Sequence, residues 1–447
     1  MSTTPPHTAV PDEPAPAGGS GVEAPDAVSP TADAAVLGGN ELVANSLGEY
    51  LRAFGKRIRN GESGVLPVLI GLVIIIVIFQ VENSNFLTAG NLTNLLVQAG
   101  VFVLLGMAEV FVLLLGEIDL SVGYLAGIGA TITAELATDP HNVNWFLAVL
   151  AGVAACAVLG AVQGLLITML GLPSFVVTLG GLLGFEGLLL YIIQKDPHAT
   201  GGTIQLTSKI INDIDYGSLS NTAGWIVMAA SVAAVGALSV MRNTRRRARG
   251  LVAPPWSLVG LRIAALAVAG IVTVLICNHN RGRGFIVLEG VPWIVPLVLV
   301  VLVIYTVLLS RTRFGRYTYA IGGNAEAARR AGVNLKLIRL SAFVLTGATA
   351  GIAGIVYLSQ LGSISNNIDG GNLVLYAVAA AVIGGTSLFG GRGKMMHAVL
   401  GGLIIATIYN GMGLLGLTAA AQLMVTALVL IAAVTVDALS RRGRTTS

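Results

Sequence analysis

The sequence predicts an all-α integral membrane protein, a polytopic helical bundle of about ten to twelve transmembrane helices, on three observations. Of its 447 residues 55% are hydrophobic and only 11% charged, against roughly 25% charged in an average soluble domain. Apolar runs close to the ~20 residues that cross a hydrocarbon core recur along the chain. Glycine is frequent, at 57 residues, as it is where membrane helices pack closely. Cys156 and Cys277 have no partner nearby in sequence, so no disulfide framework is expected.

The elements follow in chain order. Residues 1–40 are Pro, Ala, Gly, Ser and acids, a composition that cannot bury enough apolar surface to order itself, and they read as a disordered tail without a signal peptide. Within 41–62, Leu42, Leu47, Tyr50, Leu51, Phe54 and Ile58 recur at helical spacing opposite Arg52, Lys56, Arg57 and Arg59. That pattern predicts an amphipathic cytoplasmic helix on the membrane surface. A transmembrane domain fills 63–440, with spans near 65–81, 94–115, 121–138, 145–170, 173–193, 222–241, 258–277, 291–309, 339–360, 373–388, 395–414 and 418–436. Residues 441–447 form a short tail.

Charge orients the bundle. The first 62 residues hold 4 Lys/Arg and 8 Asp/Glu, leaving the membrane body at +8. Such an excess is compatible with nucleic-acid binding, but its placement argues for membrane orientation instead. With the N-terminus inside, 21 of the 26 Lys and Arg fall on the cytoplasmic side, counting Arg339 at the edge of the longest basic loop. A bias this one-sided predicts a multi-pass protein of the cytoplasmic membrane with both termini cytoplasmic.

The stretch GEIDLSVG, 116–123, places Glu117 and Asp119 between two apolar runs. The orientation puts it at the cytoplasmic end of the second hairpin rather than at mid-membrane. Asp119 or Ser121 is placed to cap the third helix; the other reading, compatible with the first, gives the motif a role in gating or coupling. In the basic loop 310–338, Gly322 and Gly323 precede Asn324, a good N-cap. Glu326 and Ala327 fall in the first turn, Arg329 and Arg330 in the last, and Gly332 is a natural stop. The expectation is a two-turn helix outside the membrane, with a second start at Asn334, suited to docking a cytoplasmic partner or simply ordering the loop. The run IGGTSLFGGRGK carries Gly384, Gly385, Thr386, Gly390 and Gly391. It is not a phosphate loop, because GxxxxGK[ST] would need Gly at Leu388 and Ser or Thr at Met395. No other Walker-type stretch occurs, so the chain is not expected to hydrolyse ATP itself.

Taken together, GEIDLSVG, PSFVVTLGG, FGRYTYAIGGNAEAARRAGVN, AVIGGTSLFGGRGK and NGMGLLG resemble the membrane permease of bacterial sugar ABC importers, the ribose, arabinose and xylose group, over roughly 65–440. The resemblance implies a permease homodimer, a separate cytoplasmic ATPase whose groove receives the helix near Asn324–Arg330, and an extracytoplasmic sugar-binding protein. It also implies family roles for Glu117, Asp119, Ser121 and Gly123. The added segment MRNTRRRARGL is similar to xylose-type permeases and suggests a ten-helix core with an inserted pair. Glu109 and Glu186 depart from the uncharged or basic residues expected in relatives and inherit no role.

Polar residues inside the spans are Gln98, Glu109, Gln163, Glu186, Arg262, Tyr409, Asn410 and Gln422. Each either bonds a neighbouring helix or serves function. Gln98, Gln163, Phe175, Tyr409 and Asn410 are the candidate substrate pathway; without the cluster of fixed charge that an anionic solute would call for, they permit a neutral sugar without naming one. A secondary transporter is the competing reading, although no repeat of two six-helix halves is visible. HExxH, GxSxG and paired intramembrane aspartates are lacking, which argues against an intramembrane enzyme. No cofactor or metal is called for.

Overall fold

The computed structural model describes residues 66–197, 199–251, 253–282 and 287–442. The tail 1–40, the amphipathic helix at 41–62 and residues 443–447 lie outside them. The long helices are α1 (Leu66–Glu82), α2 (Ala89–Leu113), α3 (Val122–Ala137), α4 (Trp145–Leu170) and α5 (Ser174–Lys195). After the strand β1 (Thr203–Gln205) and the short α6 (Lys209–Tyr216) come α7 (Asn221–Ala248), α8 (Trp256–Asn278) and α9 (Ile294–Arg311). The loop helices α10 (Arg313–Gly323) and α11 (Ala325–Arg330) precede α12 (Leu335–Leu361), β2 (Ser363–Ser365), α13 (Gly370–Ile383), α14 (Met395–Leu414) and α15 (Ala419–Arg442). Each of the twelve expected spans meets one helix. Among the described residues eight are long and apolar enough to cross a membrane, while α1, α3, α13 and the described apolar part of α15 are shorter.

Helix α2 is the axis of the core. From Ala99 to Leu113 every residue is buried, as expected of a helix that is apolar all round, and α12, α13 and α14 pack about it. Helix α4 lies against α12 at backbone distance: a β-carbon on Gly160 would sit 2.3 Å from the Phe343 carbonyl oxygen. Small residues are what permit that approach, since apolar side chains gain little by leaving lipid for one another. The outer helices expose Val73, Ile74, Val77 and Ile78 on α1 and Val300, Val303 and Ile304 on α9, an apolar skin for hydrocarbon.

Helices α7 and α8 pack chiefly on each other, and α8 touches α2, the peripheral position that an inserted pair would occupy. At 28 residues, α7 runs about 42 Å, further than the ~30 Å hydrocarbon core. Its last turns hold Arg245, Arg246 and Arg247 beyond the expected end at 241. Arg262 is exposed on α8 and not buried as its place in a span suggested; a long side chain there can carry its charge toward the interface.

The loops gather at two ends. At the end opposite the basic loops, β1 pairs antiparallel with β2, Ile204 facing Ile364. These two three-residue strands are the exception to the all-α expectation. They form where the chain has left the helical segments and must satisfy its backbone otherwise.

Two helices begin inside the bundle. After α2 the chain turns at Gly116, with φ +77°, and residues 117–121 run back inward. The Thr178 hydroxyl donates to the Ile118 carbonyl (3.2 Å) and Gln163 Nε2 donates to Ser121 Oγ (2.8 Å). Gln163 lies seven residues before the end of α4, about 10 Å deep. The sequence placed all of 116–123 at the cytoplasmic end; the fold leaves Gly116 at the end that carries the basic loops and draws Asp119 and Ser121 inward. From the other end, 366–370 descends past Gly127 until Gly370 meets Gly123 and Tyr124. Helices α3 and α13 are therefore half-helices of 16 and 14 residues, their N-termini meeting inside the protein. Irregular backbone is tolerated at that depth because protein, not lipid, surrounds it.

Candidate functional site

At the basic end three motifs converge. The Gly391 N–H donates to the Leu114 carbonyl (2.9 Å), tying IGGTSLFGGRGK to the turn before GEIDLSVG. Gly390 and Gly391 hold φ of +83° and +71°, a left-handed conformation suited to glycine. Gly322 on α10 enters the same joint: a β-carbon there would lie 1.8 Å from Leu114 O and 2.4 Å from Gly391 N. Tyr319 fastens α10 further by donating to the Gly393 carbonyl (2.8 Å). Gly384 closes on the first turn of α14, 1.8 Å from the His397 carbonyl by the same measure. Thr386 is buried beneath the loop, its hydroxyl without a hydrogen-bond partner. Gly323 and Phe389 remain open to the outside, Phe389 being 66% exposed.

Helix α11 forms for the local reasons its sequence contains. Asn324 Oδ1 accepts from Ala327 N (2.9 Å), and Asn334 repeats the device on Leu337 N (3.1 Å) at the start of α12. Gly332, at φ +82°, ends the unit. Glu326 pairs with Arg329 at 2.9 Å and Arg330 at 3.1 Å; the two guanidiniums hold its carboxyl below the usual range. A lowered carboxylate contributes above its unfolded pKa and loses that contribution as pH falls through the folded one. The pairs therefore persist at neutral pH, with small effect on stability because all three groups are exposed.

Deeper in, Asp119 Oδ1 accepts from the Ser121 N–H (2.8 Å) and hydroxyl (2.6 Å). Neither residue caps α3 through its side chain as expected: Ser121 stands at the N-cap position without a side-chain cap bond, its oxygen engaged by Asp119 and Gln163. Asp119 shapes the turn that leads into the helix. Glu109 is buried beside Asp119, and neither Glu109 carboxyl oxygen has a side-chain partner. Glu117 forms an ion pair with Arg339 at 3.1 Å, joining the motif to α12.

At the opposite end lies a cavity of about 220 Å³ lined by Asn91, Asn94, Gln98, Tyr409, Asn410 and Gln422. It unites Gln98, Tyr409 and Asn410 of the expected pathway. Gln163 is not in it, being turned to Ser121, and Phe175 stands 55% exposed on the first turn of α5. Tyr409 packs edge-on to Phe102, with ring centroids 5.6 Å apart, and Asn91 donates to Asn410 Oδ1 at 2.8 Å. Sequence reasoning passed over Asn91 and Asn94. The polar spacing at 91, 94 and 98, one face of a helix, was the signal available.

Residues 91–434 match the family described as the branched-chain amino acid transport system / permease component. The chain belongs to this family. It is 34% identical to the xylose transport system permease protein of Escherichia coli over 380 residues, covering 84% of this chain and 92% of that protein. It is also 34% identical to the same-named protein of Haemophilus influenzae, covering 86% and 99%. The ribose import permease protein of Bacillus subtilis is 31% identical, covering 87% and 98%. No solved structure matches significantly. The chain is accordingly a multi-pass membrane protein and a transport-system permease.

Proposed function

We propose that this chain is the membrane subunit of an ATP-driven importer that carries a neutral monosaccharide, xylose or a related pentose, into the cell. The observation that carries the reading is the basic-end joint, where a capped helix outside the membrane is locked through Gly322 to Leu114 and Gly391. Force applied to α11 by an ATPase reaches the ends of α2, α12 and α14 through that joint. The named cargoes of the relatives, xylose and ribose, support a sugar, and the uncharged cavity at the other end agrees with one. Helix α11 with Asn324, Glu326, Ala327, Arg329 and Arg330 is the docking element. Glu117, Asp119, Ser121 and Gly123 form the moving element with the Gly384–Gly391 loop. The basic end faces the cytoplasm, a binding protein delivers sugar to the other, and two copies of the chain enclose the path.

A secondary transporter is the competing reading, favoured by one feature: two half-helices whose N-termini meet in the interior, an arrangement such carriers use at their binding sites. Uptake of labelled xylose, ribose, arabinose, galactose and glucose by a deletion strain decides. Loss of pentose uptake that tracks cellular ATP is the expected result; loss restricted to a charged solute, or uptake that follows an ion gradient, overturns the proposal.

A further inference from the structure

We infer that the cavity between α2, α14 and α15 is itself a binding site for a neutral polyhydroxylated ligand, read by Asn94, Gln98 and Tyr409. This inference rests on the importer reading and adds to it a cargo-contacting site on the membrane subunit.

The lining side chains divide into those already engaged and those left over. Asn91 bonds the Phe86 carbonyl (2.8 Å) and Asn410, and Gln422 Nε2 bonds the Leu417 carbonyl (2.9 Å). These three brace the walls. Gln98 Oε1 is buried without a hydrogen-bond partner, a state that costs free energy until something donates to it. Asn94 is exposed on the cavity side, and Tyr409 is 39% exposed. Amides turned to hydrocarbon would forfeit their hydrogen bonds, so this wall faces water or cargo.

The chemistry selects the ligand class. Carboxamides offer both donors and acceptors, the complement of a row of hydroxyls, and the Tyr409 ring gives an apolar face for the carbon side of a sugar. No Lys, Arg, His, Asp or Glu lines the cavity, so it lacks the charge-assisted contacts by which anions are held. Its ~220 Å³ falls below the ~300–1,000 Å³ of sites for drug-sized molecules, a size fitting one small ring.

Gly413 borders the cavity, and a β-carbon there meets nothing within 4 Å, so Gly413→Cys is a reporter that leaves the contacts intact. The native Cys156 and Cys277 are buried. In the purified importer complex in lipid nanodiscs, maleimide labelling of Gly413→Cys is followed with and without the pentose that the complex transports. The expected result is about tenfold slower labelling with the pentose, the change for ~1.4 kcal/mol of occupancy, and no change with the corresponding sugar acid. Gln98→Leu should remove the protection and lower the maximal uptake rate, and Gln98→Asn should restore part of both. Labelling indifferent to a sugar that the complex demonstrably transports, or equal protection by the sugar acid, overturns the inference and leaves the importer reading standing. A wild-type complex that transports no neutral sugar would instead overturn that reading.

Discussion

Gly322 approaches Leu114 so closely that a β-carbon on it would lie 1.8 Å from the Leu114 carbonyl oxygen, while its neighbour Gly323 has nothing within 4 Å. Both end the same helix, so the pair separates backbone contact from helix propensity. Gly322→Ala should force α10 off the joint and cut sugar uptake at least tenfold, with ATPase binding retained in part. Gly323→Ala should be neutral, or stabilising by about 0.5–1 kcal/mol. Uptake assays on membranes with matched protein content check this; equal effects of the two substitutions would remove the joint from the mechanism.

Asp119→Asn preserves the oxygen that accepts from Ser121 and removes only the charge. The turn should fold, and membrane abundance should remain near wild type. Uptake should fall severalfold, because Asp119 itself lies buried, where a charge acts over longer range than in water. Unchanged uptake would reduce Asp119 to a turn-former.

In α11, replacing Glu326 and Arg329 together by Ala should abolish co-purification of the ATPase or uncouple hydrolysis from uptake. The exposed pairs contribute little to stability, so the chain should still reach the membrane in normal amount. Wild-type association and uptake in the double variant would place the ATPase elsewhere.

A phosphate-cradling loop is lacking from the sequence, so the purified chain should neither bind nor hydrolyse ATP; turnover should appear only when the ATPase subunit is added. Sustained hydrolysis by a partner-free preparation would sink the division of labour.

Asp215, on α6 outside the membrane-spanning helices, is buried, with both carboxyl oxygens lacking partners, and burial pushes its pKa up to about 7. The unfolded value is about 3.9, so the folded state binds the proton more tightly. Its contribution is then fully present below about 3.9 and is lost as pH rises through about 7. Asp215→Asn should raise the thermal midpoint most at pH 8, by a free energy of a few kcal/mol at most, by less than half as much at pH 5, and hardly at all below about pH 4. A variant destabilised equally at both pH values would show that the carboxyl has a partner.

What the sequence determined by itself is local. Twelve apolar runs became twelve helices because run length is a property of consecutive residues. Helix α11 and the start of α12 are legible because an Asn and the amide three residues on bond within one turn. The gathering of Gln98, Tyr409 and Asn410 was readable as a class of polar residue but not as a place. Tertiary structure alone decided that residues 117–121 turn inward and that Gly123 meets Gly370. It also decided that Glu117 finds Arg339, and that Gln163 serves Ser121 instead of the amide cavity. Periodicity tells which face of a helix is apolar, yet in a membrane both lipid and protein satisfy an apolar face. The choice between them rests on close packing between segments far apart in the chain, which no single stretch encodes.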